Sequence, residues 1–164
     1  MNTLPQLRVL TVASLATLAI AACSTGTASP TAGTATPSAA GGGGTTVQVD
    51  LQEWSVLPGS ASAAAGSVTF QVTNKGPEDV HEFVILRTDL DPGALPTDAT
   101  GAVSEEGGGI EVVDEIEDIA VGATAELTVP LASGKYVLLC NIYDEAEQEA
   151  HFKLGMRTSF SVTQ

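Results

Sequence analysis

Basic residues are scarce in this chain. Six Lys and Arg stand against twenty Asp and Glu in 164 residues, a formal charge of -14 at pH 7, and a surface of that sign repels a nucleic-acid backbone. Histidine and cysteine occur only twice each, which caps the metal chemistry available. Aromatics are 4% and charged residues 16%, but hydrophobic residues reach 43%. That is too apolar for a wholly disordered acidic chain, so a core forms somewhere. The uncharged run over residues 9–22, mostly apolar, has fourteen members, short of the about twenty that a membrane-spanning helix needs. After position 46 no stretch of ten or more residues carries a helical period, which argues against a parallel α/β architecture. The length suits one ordinary domain.

What is present begins with an address. Residues 9–22 (VLTVASLATLAIAA) read as the apolar region of an export signal. The run ends Leu18-Ala19-Ile20-Ala21-Ala22-Cys23-Ser24 and resembles the lipobox at which bacterial lipoproteins are cleaved and acylated on the new terminal cysteine. The resemblance implies a signal peptide over 1–22, a lipidated Cys23, and an exported protein held by its lipid anchor on the outer face of the bacterial cell membrane. Lasting attachment takes more than one acyl chain. Cleavage removes a single charged residue, Arg8, and takes the net charge to about -15. Residues 24–45 (STGTASPTAGTATPSAAGGGGT) hold no charge and no large apolar side chain, so they cannot offset the entropy of ordering themselves. With Cys23 they read as a flexible tether over 23–45, its coil span about 25 Å.

From 46 to 164 the pattern is that of one β domain. Short runs rich in Val, Thr, Ile and aromatics alternate with Gly, Pro, Asp and Asn, the punctuation of a sandwich. Strands are expected over 47–54, 67–74, 80–87, 109–119, 124–131, 135–140 and 156–163. In SVTFQVTN, Val68, Phe70 and Val72 fall on one face and Thr69, Gln71 and Thr73 on the other, the period of a half-buried antiparallel strand. The Gly- and Asp-rich stretch 91–108 is the longest loop and is expected to be a mobile insertion.

With Cys23 acylated, Cys140 is a lone thiol on an exported protein, and metal ligation explains it best. His151 follows after ten residues and Met156 after four more, across the loop joining the last two strands; His81, the other histidine, opens the strand HEFVILR. Singly, each has a structural reading as a core histidine, a small buried thiol or a gap-filling methionine. Together, in order and at strand ends, they supply a thiolate, two imidazoles and a thioether. That donor set binds copper in a trigonal arrangement with a weak axial sulfur. Zinc is the rival metal, against which stand Met156 and the affinity order that places copper(II) above zinc.

Several features together resemble the cupredoxins, the small blue-copper proteins related to plastocyanin and azurin. They are the early strand ending Glu53-Trp54, the segment SVTFQVTN-Lys75-Gly76, His81 before an apolar strand, Gly134-x-Tyr136-x-x-x-Cys140, and His151-x-x-x-Gly155-Met156 running into the last strand. The resemblance covers about 46–164 and implies an all-β Greek-key β-sandwich with one type 1 copper per chain. His81, Cys140 and His151 would be equatorial ligands and Met156 the axial one. It further implies that His151 is the electron port, reaching the surface through an apolar patch to which Phe152 and Leu154 contribute. Two features depart from the family pattern. The loop between Cys140 and His151 is longer than is common, and Glu82 stands where many members carry an Asn that ties the ligand loops. The backbone N–H of residue 82 is expected to reach the thiolate, and the side-chain tie is expected to be lost.

Two histidines spent on one metal leave none for a second catalytic copper or for a Ser-His-Asp triad, so the chain is expected not to be an enzyme. The acids of EVVDEIED lack the calcium-loop pattern. The expected function is one-electron transfer between exported redox proteins, with a partner whose docking face is cationic. A copper-sequestering or copper-delivery lipoprotein is the alternative, and a copper-free sandwich for adhesion or sensing a third.

Overall fold

The computed structural model describes residues 44–164. The expected signal peptide, Cys23 and nearly all of the tether lie outside the described residues. In chain order the strands are β1 (Thr45–Gln52), β2 (Ser55–Pro58), β3 (Ser62–Ala64), β4 (Gly66–Asn74), β5 (His81–Arg87), β6 (Glu111–Ile119), β7 (Thr124–Leu131), β8 (Gly134–Leu139), β9 (Tyr143–Asp144), β10 (Glu149–Ala150) and β11 (Arg157–Thr163). A one-turn helix, α1 (His151–Leu154), precedes β11. One sheet runs β2-β1-β4-β7, the other β3-β11-β8-β5-β6, and β9 with β10 forms a small separate ribbon. The chain changes sheet on entering and leaving β3, then between β4 and β5, between β6 and β7, and between β7 and β8, which makes a Greek-key sandwich.

β4 is the clearest case of sequence becoming structure. Val68, Phe70 and Val72 are fully buried. On the opposite face Thr69 bonds Thr128 at 2.8 Å, Gln71 bonds Glu126 at 2.8 Å and Thr73 bonds Thr124 at 2.9 Å, a polar cross-strand ladder with β7. β4 pairs antiparallel with β7 but parallel with β1. β2 and β3, absent from the sequence reading, are short edge strands (SVLP and SAA) without alternating large apolar residues. Brief edges of this kind limit pairing with other chains.

β5 is buried on both faces from Phe83 to Leu86. Phe83 and Ile85 enter the core between the sheets, while Val84 and Leu86 join a second cluster with Leu95, Val103, Val137, Leu139 and Phe152. Leu95 and Val103 come from the 91–108 stretch. This corrects the expectation of a mobile insertion: a short 3-10 turn at Pro92–Ala94, a Thr97–Val103 bridge and two buried apolar side chains hold it against the outer face of the second sheet.

Asn74 organises the approach to β5. It has no exposed surface; its Nδ2 donates to the carbonyls of Asp79 and Ile119, both at 2.8 Å, and its Oδ1 accepts from Gly76 N–H at 2.9 Å. Asn74→Ala orphans all three backbone groups and is expected to cost about 2–4 kcal/mol, read as a lower urea midpoint with an unchanged slope.

Candidate metal centre

Four segments converge at one end of the sandwich. His81 opens β5, Cys140 follows β8, His151 opens α1 and Met156 precedes β11; all four are buried. The local fold dictates the last pair. α1 is a single turn that stops at Gly155, whose φ of 135° and close approach to the Trp54 carbonyl, 2.9 Å from where a Cβ would sit, require glycine. The chain then folds back, so that Met156 N–H donates to the His151 carbonyl at 3.1 Å and Cys140 N–H donates to the Met156 carbonyl at 3.0 Å. The ten residues between Cys140 and His151 are taken up by the β9–β10 hairpin, and His151 N–H donates to the Ile142 carbonyl at 2.9 Å. The long loop therefore projects without parting its ends.

The three donor atoms form a compact triangle. His81 Nδ1 lies 3.2 Å from His151 Nδ1, and Cys140 Sγ lies 3.4 Å from His151 Nδ1 and 4.0 Å from His81 Nδ1. A divalent first-row ion bonded in plane to two nitrogens and a sulfur at ordinary lengths needs separations of roughly 3.5 Å between nitrogens and roughly 3.8 Å from sulfur to each nitrogen. Each observed edge lies within about half an ångström of that requirement, so the residues fit a metal ion. Met156 has no exposed surface and packs in the same cluster as Cys140.

Burial sets the protonation of the metal-free site. It pushes the Cys140 thiol up to about 12, with Glu82 and Asp79 adding to the effect. Burial likewise lowers His81 and His151, and repulsion between the rings lowers His81 further. Burial thus favours the uncharged form of all three donors, and a cation supplies the charge that makes a thiolate stable there.

The neighbours of the triangle include residues to which the sequence assigned no role. Glu82 N–H donates to Cys140 Sγ at 3.4 Å, as expected. The expected loss of the side-chain tie is corrected: Glu82 Oε1 accepts from Asn141 N–H at 2.6 Å, the longer carboxylate reaching the backbone directly. Burial first, then Glu115, Glu105 and Glu117, push Glu82 up to about 7 against the Asn141 bond. The Asn141 side chain in turn bonds both backbone groups of Val103 and the Glu105 carboxylate, so the 91–108 stretch braces the Cys140 strand end. Trp54 and Glu53, in the turn after β1, stand against the two imidazoles. The Trp54 ring meets His151 edge-on at 4.9 Å between centroids. Glu53 Oε1 lies 3.7 Å from His81 Nε2.

His151 is only 2% exposed and borders the surface depression at this end; the expected apolar surround of Phe152 and Leu154 is corrected. Phe152 turns inward to the second cluster under the Arg157 guanidinium, and Leu154 alone is exposed. Trp54 occupies the space beside the ring instead. The depression at this end, about 410 Å³, is lined by Glu78, Asp79, Val80, Asp118, Ile142, Asp144 and His151 and is predominantly acidic.

The arrangement is a cupredoxin-type β-sandwich with a His-Cys-His cluster at one pole. Among solved structures the chain is similar to the reduced auracyanin of the photosynthetic bacterium Roseiflexus castenholzii. The two share 19% identity at a TM-score of 0.52 over 73% of this chain and 98% of that one. It is also similar to auracyanin B, at 18% identity and a TM-score of 0.50 over 73% and 89%. No protein-family model and no curated protein matches the chain.

Proposed function

We propose that the protein is a type 1 copper protein that carries single electrons between exported redox partners, tethered to the outer face of the cell membrane through an acylated Cys23. The observation that carries this reading is the buried triangle of Cys140, His81 and His151 donor atoms, 3.2 to 4.0 Å apart, with Met156 hydrogen-bonded through its main chain to two of them. Copper held there would supply a Cu(II)/Cu(I) couple suited to this mixed sulfur and nitrogen set. The chain does the rest. His81 and His151 would offer Nδ1, Cys140 the thiolate and Met156 a thioether; Glu82 N–H is directed at the sulfur; and ligands fixed at buried strand ends would change little between oxidation states. Both histidines of the chain are used, which favours a carrier over an oxidase.

The test is to express residues 46–164 with Cu(II) and look for the intense visible thiolate-to-copper band together with a reversible one-electron couple. Rapid hand-off of copper to an acceptor with no electron flow would favour a supply role instead.

The acidic depression bordered by His151 supports a cationic docking face on the partner. Electron exchange with a cationic redox protein is expected to slow by roughly tenfold as salt rises from low to high ionic strength, measured by stopped flow. A rate independent of salt would rule out electrostatic docking at this pole.

A further inference from the structure

The turn after β1 sets two consecutive side chains against the two imidazoles, and Glu53 is the one whose bonding is incomplete. Its carboxylate is 12% exposed. Oε1 accepts from the N–H groups of Asp79 at 2.9 Å and Glu78 at 3.3 Å, a duty that any carbonyl oxygen would serve. Oε2 is buried and has no partner among the described residues, and the same is true of His81 Nε2. Across the gap between the two side chains, Glu53 Oε1 lies 3.7 Å from His81 Nε2. Space has been made for this carboxylate. A Cβ on Gly76 would lie 2.6 Å from Oε2 and 2.7 Å from Cδ of Glu53, and the φ of Gly76 is not in the left-handed region. Room, not backbone conformation, is what glycine provides there.

We propose that Glu53 is a positioning residue for His81. Its carboxylate takes the Nε2–H, fixes the tautomer whose Nδ1 lone pair faces Cys140 and His151, and sets a negative charge behind that imidazole. A neutral imidazole carries one N–H and one lone pair, so whatever binds one nitrogen decides what the other offers. With Nε2 protonated, Nδ1 of His81 is the acceptor in its 3.2 Å contact with His151. A carboxylate also makes the ring a stronger donor than a backbone carbonyl does, and favours the more highly charged state of a bound ion. This last consequence rests on the proposed copper function; the tautomer does not.

The chain's two histidines make ring 15N NMR of the full chain decisive, since only two imidazoles appear. In the metal-free protein His81 is expected to be protonated at Nε2. Glu53→Leu is expected to shift it to a mixture of tautomers and to weaken Cu(II) binding at least tenfold. Gly76→Ala, which displaces the carboxylate without removing it, is expected to do the same. Glu53→Gln keeps a carbonyl acceptor without the charge; it is expected to retain the tautomer and to raise the reduction potential. An unchanged His81 tautomer in both Glu53→Leu and Gly76→Ala would overturn the proposal. Should Glu53→Leu fail to fold, Gly76→Ala decides the tautomer, and a potential unchanged in Glu53→Gln refutes the charge effect. A wild-type chain that shows the Glu53-dependent tautomer but no visible copper band would sink the copper function and leave this assignment standing.

Discussion

Cys140→Ser is expected to abolish the visible copper band outright and to displace the one-electron couple, while leaving the sandwich folded. The sulfur is completely buried, faces both Nδ1 atoms and receives the Glu82 N–H. A serine hydroxyl fills nearly the same space. It stays protonated, however, and is a poor donor to Cu(I), whereas a thiolate favours that state and alone supplies the charge-transfer transition. The two imidazoles and Met156 remain, so residual copper binding is expected, weakened by at least about a hundredfold if one first-row ligand bond is worth some 3 kcal/mol. Burying the hydroxyl costs about 1–3 kcal/mol of stability, which a denaturation curve separates from loss of the site. Absorption and voltammetry on the copper-loaded variant are the measurement. A surviving band would mean that Cys140 is not the sulfur ligand.

How much of this was legible beforehand depended on range along the chain. Val68, Phe70 and Val72 announce β4 because period two is a local signal, and the seven main strands follow from similar runs. The donor set was legible because its residue types are rare here, not because their positions could be computed. What stayed hidden depends on partners distant in sequence. Leu95 and Val103 are isolated apolar residues in a Gly-rich stretch, without a period, yet both enter a core made by β5, β8 and Phe152. Trp54 lies almost a hundred residues before the ring it covers, so the burial of His151 could not be read from the apolar residues next to it. Glu82 was judged by residue type, as a lost Asn, when one more methylene was enough to reach Asn141 N–H. The β9–β10 hairpin had a local sign, an Asp144 whose carboxylate accepts from the N–H groups of Ala146 and Glu147, but two-residue strands carry no alternation to mark them.

Phe70→Ala is expected to produce the largest loss of stability, about 3–5 kcal/mol. With few aromatics in the chain, three of them meet at one point: Phe70 lies 5.3 Å from Phe83 and 5.6 Å from Phe160 between ring centroids, in tilted and edge-on arrangements. Phe70 comes from β4 in the first sheet and the other two from β5 and β11 in the second, so this contact joins the two layers. A domain of this size has about 5–15 kcal/mol in hand, and removing the central ring takes a large part of it. Phe83 is two residues beyond His81 and Phe160 four beyond Met156, so the same strands carry core and donors. The donors are nevertheless fixed locally, by Asn74, Gly155 and the Glu82–Asn141 bond at the end of the sandwich. Ligand binding to the folded state adds stability by mass action, in proportion to the logarithm of free copper over its dissociation constant. The increment that copper adds to unfolding free energy is therefore expected to be the same in Phe70→Ala as in the wild type, although both curves start lower. Urea titrations with and without copper measure it. An increment that collapses in the variant would mean that the ring cluster, not the loop hydrogen bonds, holds the triangle in place.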